Sequence, residues 1–204
     1  LPPLPGDVAL VMRKGSDAEL SSGVEEVQVG LVLAGKEVAK QPNGQPDGVG
    51  EISVVILMDK LGTDGFSNVQ IRGVPDNVMT FRPSVHLIEG RPPQPGTDEA
   101  IVGKAIAGRF KGLTIGQSFE LRKNRPAKVV GIFADGGSSY ESEVWADLQN
   151  VRSAFGREGI VSSVRVRLQS ESKFDAFRTS IEQDPQLGLM VMRESEYYEK
   201  QSEG

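Results

Sequence analysis

The run Asp135-Gly136-Gly137-Ser138-Ser139-Tyr140-Glu141-Ser142-Glu143 is the stretch whose residue types could most readily do chemistry. Two glycines, three serines and carboxylates spaced i, i+2 could frame an oxyanion or a hard cation. Neither arrangement is complete. A serine nucleophile needs a base, the chain has a single histidine, His86, and no G-x-S-x-G elbow is present. A calcium-type site takes roughly six or more oxygens, beyond what Asp135, Glu141 and Glu143 supply. The run therefore reads as a loop ahead of the strand that carries Trp145. Gly136, Gly137, Ser138, Ser139, Tyr140, Glu141 and Glu143 are its candidate partner-contact residues.

Other chemistry is thinner. His86 lies between Val85 and Leu87-Ile88, and with no second histidine or cysteine it heads no zinc site. Gly103-Lys104 lacks both an upstream glycine at phosphate-loop spacing and a following Ser or Thr, since Ala105 stands there. The Asp98-Glu99 and Glu194/Glu196 pairs read as turns and helix starts. Tyr197 and Tyr198 fit either a membrane-interface belt or a pair packed on the domain. No cofactor, metal or catalytic residue is predicted, so the chain reads as no enzyme.

The 204 residues carry 23 basic and 28 acidic side chains, a net charge of −5 that repels polyanions and leaves no nucleic-acid footprint. The densest basic group, Lys111, Arg122, Lys123, Arg125 and Lys128, falls on an expected hairpin without interleaved aromatics. Cysteine is absent, which excludes disulfides and thiolate sites. No run reaches the roughly 18 apolar residues that span a bilayer.

Periodicity places the elements around these residues. Asp7–Arg13 reads as an opening strand. Leu20, Val24, Val27 and Leu31 predict a helix over Glu19–Leu33. After the turn-rich Gln41–Gly50, the apolar strand Glu51–Leu61 is expected to be covered on both faces and to form a hairpin with Val69–Val74. One helical turn follows at Asp76–Phe81. Leu87–Trp145 then carries a strand closed by Glu89-Gly90-Arg91, a strand Glu99–Gly103, a small helix Lys104–Phe110, and a hairpin of Ser118–Arg122 with Ala127–Phe133. A helix over Asp147–Phe155 comes next. Ser162–Leu168 alternates, which predicts Val164, Val166 and Leu168 inward and Arg165 and Arg167 outward. Ser170 is expected to cap a helix Glu171–Gln183, before the strand Leu189–Arg193 and a polar helical segment, Glu194–Glu203.

The ordered succession of Glu89-Gly90-Arg91, Glu99–Gly103, Leu113–Gly116, Val129–Phe133 and Trp145 resembles the middle of the MacB-like periplasmic core domain. That domain is the extracytoplasmic module of FtsX-like ABC-transporter permeases, and the resemblance extends over Asp7–Gly204. It implies an α+β fold, in which a porter-like βαβ-type subdomain is interrupted by a smaller inserted α/β subdomain. The expected boundaries are 7–83 with 157–204 for the first, membrane-proximal, and 84–156 for the second.

The resemblance also implies a non-catalytic domain on the periplasmic side of a bacterial inner membrane, coupling cytoplasmic ATP-driven motion to a substrate or partner outside. The implied partners are transmembrane helices before Leu1 and after Gly204, an ABC ATPase, a second permease copy and a periplasmic adaptor. Asp7–Arg13 and Leu189–Glu203 would be the rigid elements joined to those helices, and the leading Leu1–Gly6 would be a linker or a cloning remnant. The competing readings are a free-standing periplasmic carrier or chaperone, and a small hydrolase using the Asp135–Glu143 loop.

Overall fold

The structure is a computed structural model that describes residues 6–203. Leu1–Pro5 of the leading stretch lie outside the described residues. Strand β1 (Val8–Arg13) is followed by a 3-10 turn (Glu19–Ser21), a short strand β2 (Val24–Glu25) and helix α1 (Glu26–Leu33). The helix expected over Glu19–Leu33 is thus shortened from its N-terminal side. Val24 and Glu25 pair with Val161 and Ile160, and Glu25 opens the helix by a reciprocal capping box with Gln28.

Strands β3 (Gly48–Asp59) and β4 (Phe66–Val74) form the expected hairpin, in register from Ile52↔Gly73 to Asp59↔Phe66. Cover on both faces holds only for the first part of β3. Val49, Glu51, Ile52, Ser53 and Val54 are buried, whereas Leu57 is 64% exposed. Helix α2 (Val78–Phe81), β5 (His86–Gly90) and β6 (Glu99–Gly103) follow.

The small helix expected at Lys104–Phe110 does not form. The Lys104 N–H donates to Phe133 O at 2.9 Å and the Ala105 N–H to Glu141 O at 3.1 Å, and Gly108 turns at φ 75°. The segment is a chain of turns instead. Hairpin β7 (Ser118–Arg122) and β8 (Arg125–Ala134) closes through Asn124 at φ 65°, a left-handed position that asparagine tolerates. Strand β9 (Glu143–Asp147) leads into α3 (Leu148–Ala154), capped by the Asp147 carboxylate accepting from the Asn150 N–H.

The chain finishes with β10 (Ile160–Val161), β11 (Ser163–Arg167), α4 (Phe174–Glu182), β12 (Leu189–Arg193) and α5 (Glu194–Ser202). Ser170 is not the expected cap. A 3-10 turn (Glu171–Lys173) intervenes, and the Ser170 hydroxyl pairs with that of Ser172 at 2.8 Å.

The chain forms two compact units, one of Ile52–Glu158 and one of the residues up to Glu51 together with those from Gly159 onward. The expected boundary at residue 84 is displaced. From Ile52 onward β3 pairs with β4, and β4 pairs in parallel with β9, so both strands belong with the central block.

In the terminal unit the order is β12-β1-β11-β3, antiparallel throughout, with Gly48–Glu51 as the contribution of β3. Phe174, Phe177 and Ile181 form the buried stripe of α4, as their spacing predicts. In the central unit the order is β3-β4-β9-β6-β8, with β5 and β7 both paired to β8. Ile52, Ile71, Val102, Leu113, Val129 and Val144 lie at its core. The fold is mixed α and β, as the α+β reading requires.

Candidate functional site

Three strands that read as apolar or alternating, β3, β4 and β11, carry a buried charge in Glu51, Arg72 and Arg165. Arg165, expected outward on β11, is 0% exposed. Its Nε donates to Glu194 Oε2 at 2.6 Å, its Nη1 to Glu19 Oε2 at 3.0 Å and Ser163 Oγ at 3.1 Å, and its Nη2 to Glu19 Oε1 at 2.9 Å and the Tyr198 hydroxyl at 3.0 Å. Glu51 Oε1 stands 3.7 Å from Nη1. The alternation of β11 holds, but its second face is closed off by Glu19, Glu51 and Glu194 rather than open to solvent.

Arg72 on β4 is equally buried. Its Nε and Nη2 make a two-point contact with Glu143, at 2.8 and 2.9 Å, and the Trp145 indole N–H donates to the same carboxylate at 3.0 Å. The Tyr140 ring has two guanidiniums against it, Arg82 at 4.5 Å and Arg72 at 5.2 Å, and meets Trp145 edge-on.

These contacts decide what the Asp135–Glu143 loop is. Tyr140, Glu141 and Glu143 are buried. The Glu141 carboxylate accepts from the Asp135 N–H at 2.7 Å and the Gly137 N–H at 3.1 Å. Burial pushes this carboxyl up, but those two N–H groups, with Lys104 and His86 nearby, leave it below its ordinary value. The Ser138 hydroxyl donates to Asp135 Oδ2 at 2.6 Å. Asp135, Glu141 and Glu143 do not converge on a shared site, because Glu141 folds back on the loop backbone while Glu143 points to Arg72. The hydrolase reading loses its acid pair. Gly136, Gly137, Ser139 and Ser142 are the loop residues that face solvent.

The remaining sequence candidates are also accounted for. His86 is exposed, with Nδ1 3.2 Å from Ser84 O. Gly103 packs so closely that a Cβ there would sit 2.1 Å from Glu141 O, and the amides that follow it are already bonded, so no phosphate cradle exists. Arg91 clamps Glu99, which also accepts the Gln94 N–H at 2.9 Å. On the basic hairpin, Arg122 stacks over Phe155 at 4.4 Å and Arg125 donates to Ser153 Oγ. Glu194 belongs to the Arg165 cluster rather than to a solvated helix start.

Tyr197 is buried against Leu10 and Met12, and its hydroxyl accepts the Glu19 N–H at 3.0 Å. The packed-pair reading therefore holds over the membrane-belt one. Two cavities in the central unit, of about 160 and about 110 Å³, are lined by neither Asp135, Glu141 nor Glu143. Among the described residues no group of His, Asp or Glu is placed to hold a metal, and no helix is long and apolar enough to cross a membrane.

The extracellular domain of the noncanonic ABC-type transporter YknZ from Gram-positive bacteria superposes with a TM-score of 0.64 at 16% identity, covering 91% of this chain and 100% of that one. The periplasmic region of MacB from Actinobacillus actinomycetemcomitans gives 0.63 at 11% identity, covering 97% and 93%. At these identities the likeness is one of fold. No curated protein matches the sequence significantly. The profile of the MacB-like periplasmic core domain matches residues 8–184, most of the chain, and the protein belongs to that family of ABC-transporter permease domains.

Proposed function

We propose that this chain is a non-catalytic extracytoplasmic domain that couples ATP-driven motion in the cytoplasm to movement of a substrate or partner outside the membrane. On this reading the domain stands on the periplasmic side of a bacterial inner membrane. Its partners are the permease's own transmembrane helices, an ABC ATPase, a second permease copy and a periplasmic adaptor. The observation that carries the reading is the anchoring of both ends of the sequence in one unit. Strand β1 lies between β11 and β12, the Arg193 guanidinium donates to Gly6 O, and α5 runs back until Gln201 donates to Asp17 O. A force applied to either end enters the same sheet, which mechanical coupling requires.

The central unit supplies the outward contact, through the exposed Gly136, Gly137 and Ser139 held rigid by Tyr140 and Glu141. The test uses the full permease. Excising the domain is expected to abolish transport while ATP hydrolysis persists, and continued transport would sink the reading. Ser139→Trp adds bulk at an exposed position without touching the bonds of Glu141. Unchanged transport in that variant would remove the contact-loop assignment alone.

A further inference from the structure

From Ile52 to Met58, strand β3 carries no charge, proline or glycine, and its register to β4 runs from Ile52↔Gly73 to Asp59↔Phe66 without a shift. In the central unit it is the outermost strand, and among the described residues no strand pairs with its other side beyond Glu51. The Lys60 N–H donates to Gly65 O at 3.0 Å, so Lys60 and, by the alternation of an antiparallel ladder, Met58 and Ile56 turn their backbone groups to β4. Val55, Leu57 and Asp59 turn theirs outward, in keeping with the Lys111 N–H, which donates to Asp59 O at 2.9 Å. Val55 and Leu57 thus each present a donor and an acceptor, roughly 7 Å apart, at the spacing of alternate strand residues.

Exposed edges of this kind are ordinarily blunted by charge, proline, a bulge or shortness. The strands at the far side of the same sheet follow that rule. β5 and β7 have five residues each, both shift register against β8, and β7 carries Glu120 and Arg122. The outward residues of β3 add apolar surface instead, since Leu57 shares a face with half-buried Val55 and with exposed Phe66, its diagonal neighbour across the hairpin. We propose that the edge of β3 at Val55–Leu57 takes an extended segment of another protein as an added strand, with an apolar side chain of that segment resting on Leu57. Donors and acceptors at strand spacing are matched in full by another extended backbone, and the side chains on the Leu57 face select what that backbone carries. A second copy of β3 does not fit. Arg109 and Lys111 lie on the same edge, bonded to Leu61 and Asp59, so two β3 strands run antiparallel would each meet the other's turn. The opening suits a segment of a few residues whose ends leave the sheet. The inference rests on the sheet and not on the proposed function.

Panning random phage-displayed peptides against the 204-residue protein tests it. Peptides with apolar residues at alternate positions are expected to be enriched on the parent. They are expected to lose about tenfold in affinity on Val55→Pro, which removes an outward N–H but no bond to β4. Leu57→Lys places a charge on the edge at an exposed position and is expected to have the same effect, with Trp145 fluorescence reporting an intact fold. Should Val55→Pro not fold, Leu57→Lys carries the comparison alone. In hydrogen exchange a synthetic copy of an enriched peptide is expected to protect the Val55 and Leu57 amides, while those of Ile56 and Met58, already bonded to β4, change little. No enrichment over the folded variants, or protection that misses Val55 and Leu57, overturns the added strand. Self-association of the parent that Leu57→Lys abolishes would overturn the choice of another protein in favour of a second copy.

Discussion

Replacing Glu143 by alanine is expected to cost the central unit most of its stability. The carboxylate holds the Arg72 guanidinium at two points, and the side chains are 1% and 6% exposed for Arg72 and Glu143. Removing one member of such a pair leaves a buried charge uncompensated, at about 3–5 kcal/mol. The Trp145 indole, 0% exposed, loses its acceptor as well, which adds about 1 kcal/mol or more. The sum of about 4–6 kcal/mol is comparable to the whole stability of many domains, about 5–15 kcal/mol. Trp145 is the only tryptophan in the chain, so urea titration followed by its fluorescence reads this unit selectively. The double variant Arg72→Met with Glu143→Leu removes both charges and is expected to recover to within about 2 kcal/mol of the parent, the residue being the orphaned indole. A loss below about 1.5 kcal/mol in Glu143→Ala, or a double variant no better than the single, would refute the account of a charge stranded in the core.

Two glycines of opposite setting give a paired prediction. Gly103→Ala would bring its Cβ to 2.1 Å from a backbone oxygen that cannot yield, and a loss at or above about 3 kcal/mol is expected in the same titration. Gly30 lies inside α1 with open space around it, and Gly30→Ala is expected to raise stability by about 0.5–1 kcal/mol, read by thermal melting. The Arg91 bond and the Gln94 N–H hold Glu99 at about 2, down from an ordinary 4.5. A lowered folded-state value means a contribution fully present above 4.5 and lost as the pH falls toward 2. Glu99→Gln should therefore differ from the parent at neutral pH and converge with it at about pH 2–3; a gap that widens in acid would overturn the assignment.

Much of the fold was legible because short-range pattern carries it. The hairpin of β3 with β4 follows from two apolar runs on either side of Gly62 and Gly65, and the α4 stripe from Phe174, Phe177 and Ile181. Of the apolar set Ile101, Val102, Phe110, Leu121, Val130, Ile132 and Trp145 in the central block, all are buried except Ile132, which is half-buried. What could not be read was set by partners distant in sequence. Val24 and Glu25 are strand rather than helix because Ile160 and Val161 come to pair with them. Lys104–Phe110 has the apolar spacing of a helix, but Phe133 and Glu141 take the N–H bonds of its first residues.

The candidate loop shows the same limit from the side of function. Its serines, glycines and carboxylates looked like raw material for a site, and the sequence could not say that Glu141 is spent on the loop's own backbone or that Glu143 neutralises Arg72. A usable signal did exist in Glu51, an acidic residue heading a continuous apolar strand. A charge is tolerated there only where a counter-charge is buried beside it, and the cationic strand residues Arg72 and Arg165 were the available candidates. Arg165 is the one beside it, 3.7 Å away. Each unit thus buries an arginine among carboxylates drawn from separate strands and turns, Glu143 for Arg72 and the trio Glu19, Glu51 and Glu194 for Arg165. In the central unit one carboxylate meets one guanidinium, and removing either is expected to unfold it. In the terminal unit one guanidinium ties together carboxylates from three segments far apart in the sequence, Glu19, Glu51 and Glu194, so replacing Arg165 is expected to loosen all three contacts at once.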